Sequence, residues 1–213
     1  MLKPARSSLQ LILVRHGETE WTERGLLHGR LDSLLSITGR RHAELTAHRL
    51  RREKIDALYT SPQGRAVQTA TVLGEALGLT PIPLEGLREM DFGWSEGRPL
   101  RLFDPDGSGA RLFRPLTRMM FILTAERPNR FAARVNSAVE TLRANHPHGR
   151  VLVVTHWAVL SMLKALLLDG HNHAWMSYGP WAACGISELH AVENSWQIVY
   201  LNDDSHIHEK RQT

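Results

Sequence analysis

The chain is built around the stretch Leu9-Gln10-Leu11-Ile12-Leu13-Val14-Arg15-His16-Gly17-Glu18-Thr19. It begins as a nearly unbroken apolar run, which is typical of a strand buried on both faces of a parallel sheet. The run ends abruptly at Arg15-His16-Gly17. In open α/β sheets, ligands bind in the crevice beyond the carboxyl ends of the strands. A cation, an imidazole and a glycine there can hold an anion close to a nucleophile, and two incidental polar residues at a strand end are the alternative.

Length and composition fit one globular α/β domain. The 213 residues are enough to bury a sizeable core, and 42% hydrophobic against 23% charged residues is the balance of a folded protein. Lys and Arg number 26 against 22 acidic residues, which gives a net charge of only +4. This modest surplus suits an acidic small substrate at least as well as nucleic acid, so we expect no nucleic-acid partner.

The same sequence predicts a cytoplasmic protein with no membrane partner. Its one cysteine, Cys184, excludes an intramolecular disulfide and a thiolate metal cluster. The apolar run at residues 9–14 is far too short to span a bilayer, and the residues before it lack the apolar core of a secretory signal. The oligomeric state stays open, with a homodimer as one option.

Strands and helices alternate along most of the chain. Further strands are predicted at residues 55–59, 81–84, 151–154, 186–192 and 196–201. Helices are predicted from Thr38, which would cap its own helix, from Ser61-Pro62 to Leu77, at 131–142 and at 157–168. This order predicts a three-layer α/β sandwich, with a mainly parallel central sheet and helices on both faces.

Residues 98–130 interrupt this alternation with repeated prolines and glycines, and a helix is predicted within them at 116–124. An insertion of this kind in a compact fold is more often a lid or binding loop than idle linker. We therefore expect a single domain over residues 1–213, with a lid insertion at about 98–130. The segment holds seven arginines against three acidic residues, an excess equal to that of the whole chain. That charge predicts a substrate with a second acidic group beyond a phosphate.

Two of the buried strands end in the same way, with Val14-Arg15-His16 and with Val154-Thr155-His156. In one parallel sheet both imidazoles would reach the same crevice. Arg65 lies in the first turn of the helix after a third strand, where the helix dipole disfavours a cation unless an anion binds nearby. Glu89 lies in a polar loop at residues 86–97. Together these groups predict a phosphate pocket with an acid attached.

This combination resembles the histidine phosphatase superfamily, which contains cofactor-dependent phosphoglycerate mutases and their phosphatase relatives. The resemblance covers almost the whole chain. It rests on Leu13-Val14-Arg15-His16-Gly17-Glu18-Thr19, Thr60-Ser61-Pro62 with Arg65-Ala66-Val67-Gln68-Thr69-Ala70, Leu87-Arg88-Glu89-Met90-Asp91-Phe92-Gly93, and Val153-Val154-Thr155-His156. The third of these motifs is most similar to small phosphatases of the group.

The resemblance implies a role for each group in the predicted pocket. His16 would be the nucleophile that takes the phosphoryl group, and Glu89 would donate a proton to the leaving oxygen. Arg15, Arg65 and His156 would hold the phosphate oxygens. The resemblance also implies substrate contacts from the surrounding residues Gly17, Thr19, Thr22, His28, Gly29 and Trp157.

Four positions depart from the family pattern. Thr22 stands where the family usually has asparagine, and His28-Gly29 where it has glutamine before glycine. Trp157 replaces the glycine that usually follows the second histidine, and Trp94 lies one place early in the usual Gly-x-Trp-Glu-Gly spacing. A threonine hydroxyl and a histidine ring N–H still offer hydrogen bonds, so substrate choice is affected more than reaction class.

We therefore expect a phosphomonoesterase that hydrolyses a small acidic phosphoester through a phosphohistidine, with no metal and no other cofactor. The pairs His171/His173 and His206/His208 lack carboxylates nearby in sequence, so we interpret them as surface histidines rather than metal ligands.

Two other functions stay open at this point. One is a cofactor-dependent phosphoglycerate mutase, although mutases of the group are longer and have a C-terminal segment that covers the site. The other is a non-catalytic binding or regulatory protein on the same fold. The presence of all five groups that the resemblance makes catalytic argues against the latter.

Overall fold

The computed structural model of the chain describes residues 8–103, 114–172, 175–193 and 195–208. In the helix that begins at residue 114, the side chains at 114, 115, 117 and 118 are outside this description. Expectations that concern residues 104–113, His173 and residues 209–213 therefore lie outside the described residues.

Six strands form the sheet of the described chain. They are β1 (Leu9–Arg15), β2 (Ala57–Thr60), β3 (Ile82–Pro83), β4 (Gly149–Thr155), β5 (Ile186–Val192) and β6 (Ser195–Asp203). The spatial order is β3-β2-β4-β1-β5-β6. The first four strands in this order pair in parallel. Strand β5 pairs antiparallel with β1, and β6 pairs antiparallel with β5. The predicted mainly parallel sheet is confirmed.

Helices cover both faces of this sheet. They are α1 (Glu20–Glu23), α2 (Ile37–Leu50), α3 (Gly64–Leu77), α4 (Arg114–Thr124), α5 (Pro128–Asn145), α6 (Trp157–Leu168) and α7 (Ser205–His208). No helix among the described residues is both long and apolar enough to cross a membrane.

Alternation along β1 divides the core into two layers, because successive side chains of a strand point to opposite faces. Leu9, Leu11 and Leu13 pack in one cluster with side chains of α5 and α6. Ile12 and Val14 pack in the other cluster with side chains of α2 and α3. The predicted three-layer sandwich is therefore confirmed.

The start of α2 differs from the sequence-based expectation. The N-cap is Ser36 rather than Thr38, and the Ser36 hydroxyl accepts a hydrogen bond from the Gly39 backbone N–H at 3.0 Å. Both residues carry a hydroxyl that can cap a helix, and the sequence alone does not distinguish them.

The start of α3 differs for a reason that concerns the site. Ser61 and Pro62 precede the helix, which begins at Gly64. The Ser61 hydroxyl lies 2.7 Å from Nε2 of His156, so it partners a buried imidazole instead of capping the helix. The first N–H groups of α3 donate to the carboxylate of Asp32, which comes from a loop distant in sequence.

In the second half of the segment 98–130, most of the described residues are helical. The predicted helix at 116–124 is confirmed as α4, which starts two residues earlier, and α5 follows at Pro128. A single 3₁₀ turn at Leu100–Leu102 lies before the undescribed residues. The role of this segment as a lid stays a prediction.

Candidate active site

The structure brings the two predicted imidazoles together. β1 and β4 pair in parallel with Arg15 beside Thr155, so His16 and His156 leave the sheet from adjacent strand ends. The centroids of the two rings lie 5.1 Å apart. His16 retains 4% of its exposure and His156 none. Both rings therefore lie in the crevice at the carboxyl edge of the sheet.

Two hydrogen bonds fix the tautomer of His16. Nδ1 lies 2.8 Å from the carbonyl oxygen of Gly17, and a carbonyl only accepts, so Nδ1 carries the proton. Nε of Arg65 donates to Nε2 of His16 at 3.2 Å, so Nε2 holds a lone pair. Burial, with the charges of Arg65 and Arg15, lowers the pKa of His16 well below its ordinary value. The ring is therefore neutral at pH 7, with Nε2 as its nucleophilic atom.

Arg65 is completely buried, and every nitrogen of its guanidinium has a partner. Nη2 donates to the Gly29 carbonyl at 2.9 Å, and Nη1 donates to the Leu31 carbonyl at 2.9 Å and to Asp32 at 3.0 Å. Nε faces His16. These contacts fix the cation beside the imidazole and explain why a buried arginine is tolerated at the start of a helix.

Asp32 is a site residue that the sequence reasoning missed. Its carboxylate forms the ion pair with Arg65 and also accepts the backbone N–H groups of Gly64 and Arg65. One side chain thus positions both the guanidinium and the helix that carries it. The residue lies in an irregular loop with no periodic relation to α3, so no sequence signal placed it here.

Arg15 and His156 each present a buried nitrogen without a partner in the described part of the chain. These atoms are Nε of Arg15 and Nδ1 of His156. The remaining contacts of these side chains are known: Nη1 of Arg15 donates to the Trp181 carbonyl at 2.6 Å, and Nε2 of His156 contacts Ser61. Buried polar atoms are ordinarily hydrogen-bonded, and of these two side chains Arg15 lines the pocket beside His16, whereas His156 lies beneath its surface.

Glu89 is buried in the same pocket. Its carboxylate accepts the backbone N–H of Met90 at 3.0 Å and that of Ala158, at the start of α6, at 3.3 Å. Burial raises the pKa of Glu89 in spite of the opposing charges of Arg65 and Arg15. This carboxyl group therefore keeps its proton to higher pH than an exposed glutamate.

The other two carboxylates of the Glu89 loop, those of Asp91 and Glu96, accept hydrogen bonds from backbone N–H groups. Glu96 accepts the N–H groups of Arg30, Leu31 and Phe92 at 2.8, 3.0 and 2.9 Å. Asp91 accepts the N–H of Gly93 at 2.7 Å. Neither lines the pocket, whereas Glu89 does.

Comparison with known proteins identifies the family. The model of the histidine phosphatase superfamily (branch 1) matches residues 11–204.

This chain belongs to the histidine phosphatase superfamily.

It is accordingly an enzyme of the histidine phosphatase type, and three of its relatives illustrate the similarity. A Hydrogenobacter thermophilus protein named "Putative phosphoserine phosphatase 2" is 33% identical over 94% of this chain and 98% of its own. "Probable phosphoglycerate mutase GpmB" of Yersinia enterocolitica is 32% identical over 93% of this chain and 95% of its own. The solved structure of Bacillus stearothermophilus YhfR is 27% identical, with a TM-score of 0.81, over 94% of this chain and all of that one.

In this histidine phosphatase, a pocket of about 1110 Å³ opens above His16. Four of the six expected substrate contacts line it: Thr22, His28, Gly29 and Trp157. Burial, with the charges of Arg65 and Arg15, lowers the pKa of His28 to about 4. His28 is therefore a neutral hydrogen-bonding group at pH 7, and the departure from glutamine adds no charge.

Gly17 and Thr19 do not reach the pocket surface. The Gly17 N–H donates to the Thr69 hydroxyl at 3.0 Å, and a Cβ at Gly17 would lie 2.6 Å from the carbonyl oxygen of Gly39. Thr19 is buried, with its hydroxyl 2.7 Å from Nε2 of His28. Neither residue lines the pocket, and their contact with substrate stays a prediction.

Among the described residues, no group of three or more His, Cys, Asp and Glu side chains could hold a metal ion. His206 was expected at the surface, but it is buried with Nε2 2.9 Å from the Thr46 hydroxyl. Its position is set by α7 packing on α2, which the polar sequence around it did not indicate.

Proposed function

We propose that this histidine phosphatase hydrolyses a phosphomonoester through a phosphohistidine on Nε2 of His16. The observation that carries the proposal is the tautomer of the buried ring. The Gly17 carbonyl holds the proton on Nδ1, and the lone pair of Nε2 lies among cationic groups that attract a phosphate. A neutral imidazole of this kind attacks phosphorus without first losing a proton.

In the first step, the Nε2–P bond forms as the bond between phosphorus and the substrate oxygen breaks. Glu89 gives its proton to the departing oxygen. Its raised pKa favours the protonated form that this step requires. Arg15 and Arg65 neutralise the charge on the phosphoryl oxygens. The products are phosphohistidine, a free alcohol and ionised Glu89.

In the second step, ionised Glu89 takes a proton from a water molecule whose oxygen attacks phosphorus. The Nε2–P bond breaks, its electron pair returns to His16, and inorganic phosphate leaves. The enzyme is restored with Glu89 protonated. No step in this sequence calls for a metal ion, because two guanidinium groups provide the positive charge.

The expectation of a second acidic group in the substrate gains no support from the described part of residues 98–130. The described arginine side chains there are Arg98, Arg101, Arg127 and Arg130, and none of them lines the pocket. Arg98 instead stacks on Trp94, with its guanidinium carbon 3.8 Å from the ring centroid.

A phosphoglycerate mutase is the second candidate, because several relatives, all from Yersinia, are named "Probable phosphoglycerate mutase GpmB". A phosphoglycerate carries a carboxylate as well as a phosphate, and binding it calls for additional cations. Arg15 and Arg65 are the cations that line the pocket among the described residues, and both lie beside His16. This favours hydrolysis of a phosphomonoester over phosphoryl return to a phosphoglycerate.

The test is release of inorganic phosphate from p-nitrophenyl phosphate and from 3-phosphoglycerate. We expect release that His16→Asn abolishes and that His48→Asn, which alters an exposed histidine on α2, leaves unchanged. Isomerised phosphoglycerate without phosphate release would indicate the mutase. No turnover of either ester would indicate a binding protein.

A further inference from the structure

Beyond the phosphate-binding groups, the pocket is walled by apolar side chains. Six of them define what we call the apolar wall: Leu100, Leu102, Met119, Ile122, Leu123 and Met176. They come from the 3₁₀ turn before the undescribed residues, from α4, and from the turn after α6. The wall thus joins three separate segments around one opening.

Members of the apolar wall are left open to water. Their exposures run from 38% for Leu102 to 71% for Leu123. Scattered apolar residues are common on protein surfaces, but a contiguous apolar patch marks a ligand groove or an interface. Here the patch and His16 line the same cavity, so a long molecule bound at His16 extends toward the patch.

Helix α4 aims part of its apolar surface at the pocket. Met119, Ile122 and Leu123 are spaced by three and four residues, which places them on neighbouring positions of the helix. Elsewhere on α4, Phe121 stacks with Phe92 at a centroid distance of 6.3 Å and ties the helix to the Glu89 loop. The helix is therefore anchored while its exposed apolar residues remain available.

The charged side chains described in the pocket lie at its other end, beside His16. Among the described lining residues, the charged groups are Arg15, Arg65 and Glu89. These are the groups that the proposed reaction uses. The volume of about 1110 Å³ also exceeds the roughly 300–1,000 Å³ typical of pockets for drug-sized ligands. The space beyond the phosphate is thus large, and the described side chains that line it are uncharged.

We infer that the substrate is a phosphomonoester of a large apolar alcohol, whose alkyl or aryl group lies on the apolar wall. This inference rests on the proposed function, because the phosphoryl group must bind beside His16 for the organic group to reach the wall. Ile122 and Leu123 are then specificity-determining residues, remote from the reacting atoms.

A series of straight-chain alkyl phosphates, from propyl to decyl, tests the inference below the concentration at which they form micelles. The basicity of the leaving alcohol hardly changes along this series, so differences in kcat/KM report contact with the chain. Each methylene group that leaves water should raise kcat/KM by about fourfold until the wall is covered. Phosphoserine and 3-phosphoglycerate, which carry a second acidic group, should lie well below the longer esters.

Matched substitutions locate the effect. Ile122→Gln and Leu123→Gln should reduce kcat/KM for decyl phosphate by about tenfold each and leave that for propyl phosphate unchanged. Ile37→Gln makes the same change at the start of α2, where the isoleucine is 93% exposed and lies outside the pocket lining. This control should retain the full dependence on chain length.

Each outcome separates the inference from the proposed function. Hydrolysis of every ester with equal kcat/KM would overturn the apolar substrate and leave the phosphohistidine mechanism standing. Failure to hydrolyse any ester would contradict the proposed function itself. A chain-length dependence that Ile122→Gln does not alter, together with a self-association that it abolishes, would overturn the inference and make the wall an interface between copies.

Discussion

The Nε atom of Arg65 lies 3.2 Å from Nε2 of His16 and donates its hydrogen to the atom that attacks phosphorus in the proposed mechanism. This hydrogen bond keeps Nε2 unprotonated, but it also occupies the lone pair. We expect the N–H to turn to a phosphoryl oxygen when substrate binds, because a charged acceptor is stronger than a neutral one. The contacts that fix the other end of Arg65 then matter for catalysis.

Asp32 should therefore act as a positioning residue. Asp32→Asn keeps a side-chain oxygen for the start of α3 but removes the ion pair with Arg65. A hydrogen bond to a charged group contributes about 1.5–3 kcal/mol, so kcat/KM should fall by about tenfold to a hundredfold. Kinetics and thermal unfolding of the variant measure the two roles separately.

Asp56→Asn is the matched control, because the Asp56 carboxylate also accepts a backbone N–H, from Arg150 at the opposite edge of the sheet. It should change stability by a similar amount and leave kcat/KM unchanged. A wild-type kcat/KM for Asp32→Asn would show that the ion pair has no part in positioning Arg65.

Replacement of Glu89 by glutamine should slow phosphorylation according to the leaving group. An alkoxide leaves poorly without a proton, whereas p-nitrophenolate leaves almost unaided. General acid help is worth about 10²–10⁴-fold, so that loss should appear with an alkyl phosphate and largely vanish with p-nitrophenyl phosphate. Rapid-quench measurement of the first step gives both rates.

Asp91→Asn alters a neighbouring carboxylate that holds the turn at Gly93, and it should affect both esters alike. If Glu89→Gln also slows both esters alike, the proton comes from another group and Glu89 is an electrostatic neighbour.

The pH profile should be bell-shaped, with His16 controlling one limb and Glu89 the other. Activity requires neutral His16, so it rises with pH through the lowered pKa of that ring. Activity also requires protonated Glu89, so it falls with pH through the raised pKa of that carboxyl group. Glu89→Gln should remove the falling limb for alkyl phosphates while the rising limb persists. An unchanged falling limb in this variant would assign it to a different group.

Chelation should leave the activity intact. In the proposed mechanism Arg15 and Arg65 supply the positive charge, so turnover of p-nitrophenyl phosphate should survive EDTA and gain nothing from Mg²⁺ or Zn²⁺. Activity that EDTA abolishes and one added metal restores would contradict this part of the mechanism.

The sequence predicted those features that depend on local pattern. β1 and β4 are apolar runs that end in polar residues, and their parallel pairing follows from the α/β order, so His16 and His156 were placed together before the structure. Glu89 was expected in the pocket as an acid of the polar loop at 86–97, and the family resemblance gave its role as proton donor. The structure adds its burial and its contact with the start of α6.

Features that depend on distant contacts were not predicted. Asp32 contacts Arg65 because a loop folds over the start of α3. The same carboxylate accepts N–H groups at the start of this helix, which begins after Ser61 rather than at it. The net charge of residues 98–130 does not indicate which of their side chains point into the pocket. The count of arginines predicted an acidic substrate, whereas the described side chains that reach the pocket from this segment are apolar.

The phosphohistidine is tested most directly with Glu89→Gln and p-nitrophenyl [³²P]phosphate. This ester needs little acid help in the first step, while the second step lacks its base, so the intermediate should accumulate. We predict a burst of about one p-nitrophenolate per enzyme and an equal amount of acid-labile, base-stable label on His16. Turnover without label, or label on any residue other than His16, would contradict the account.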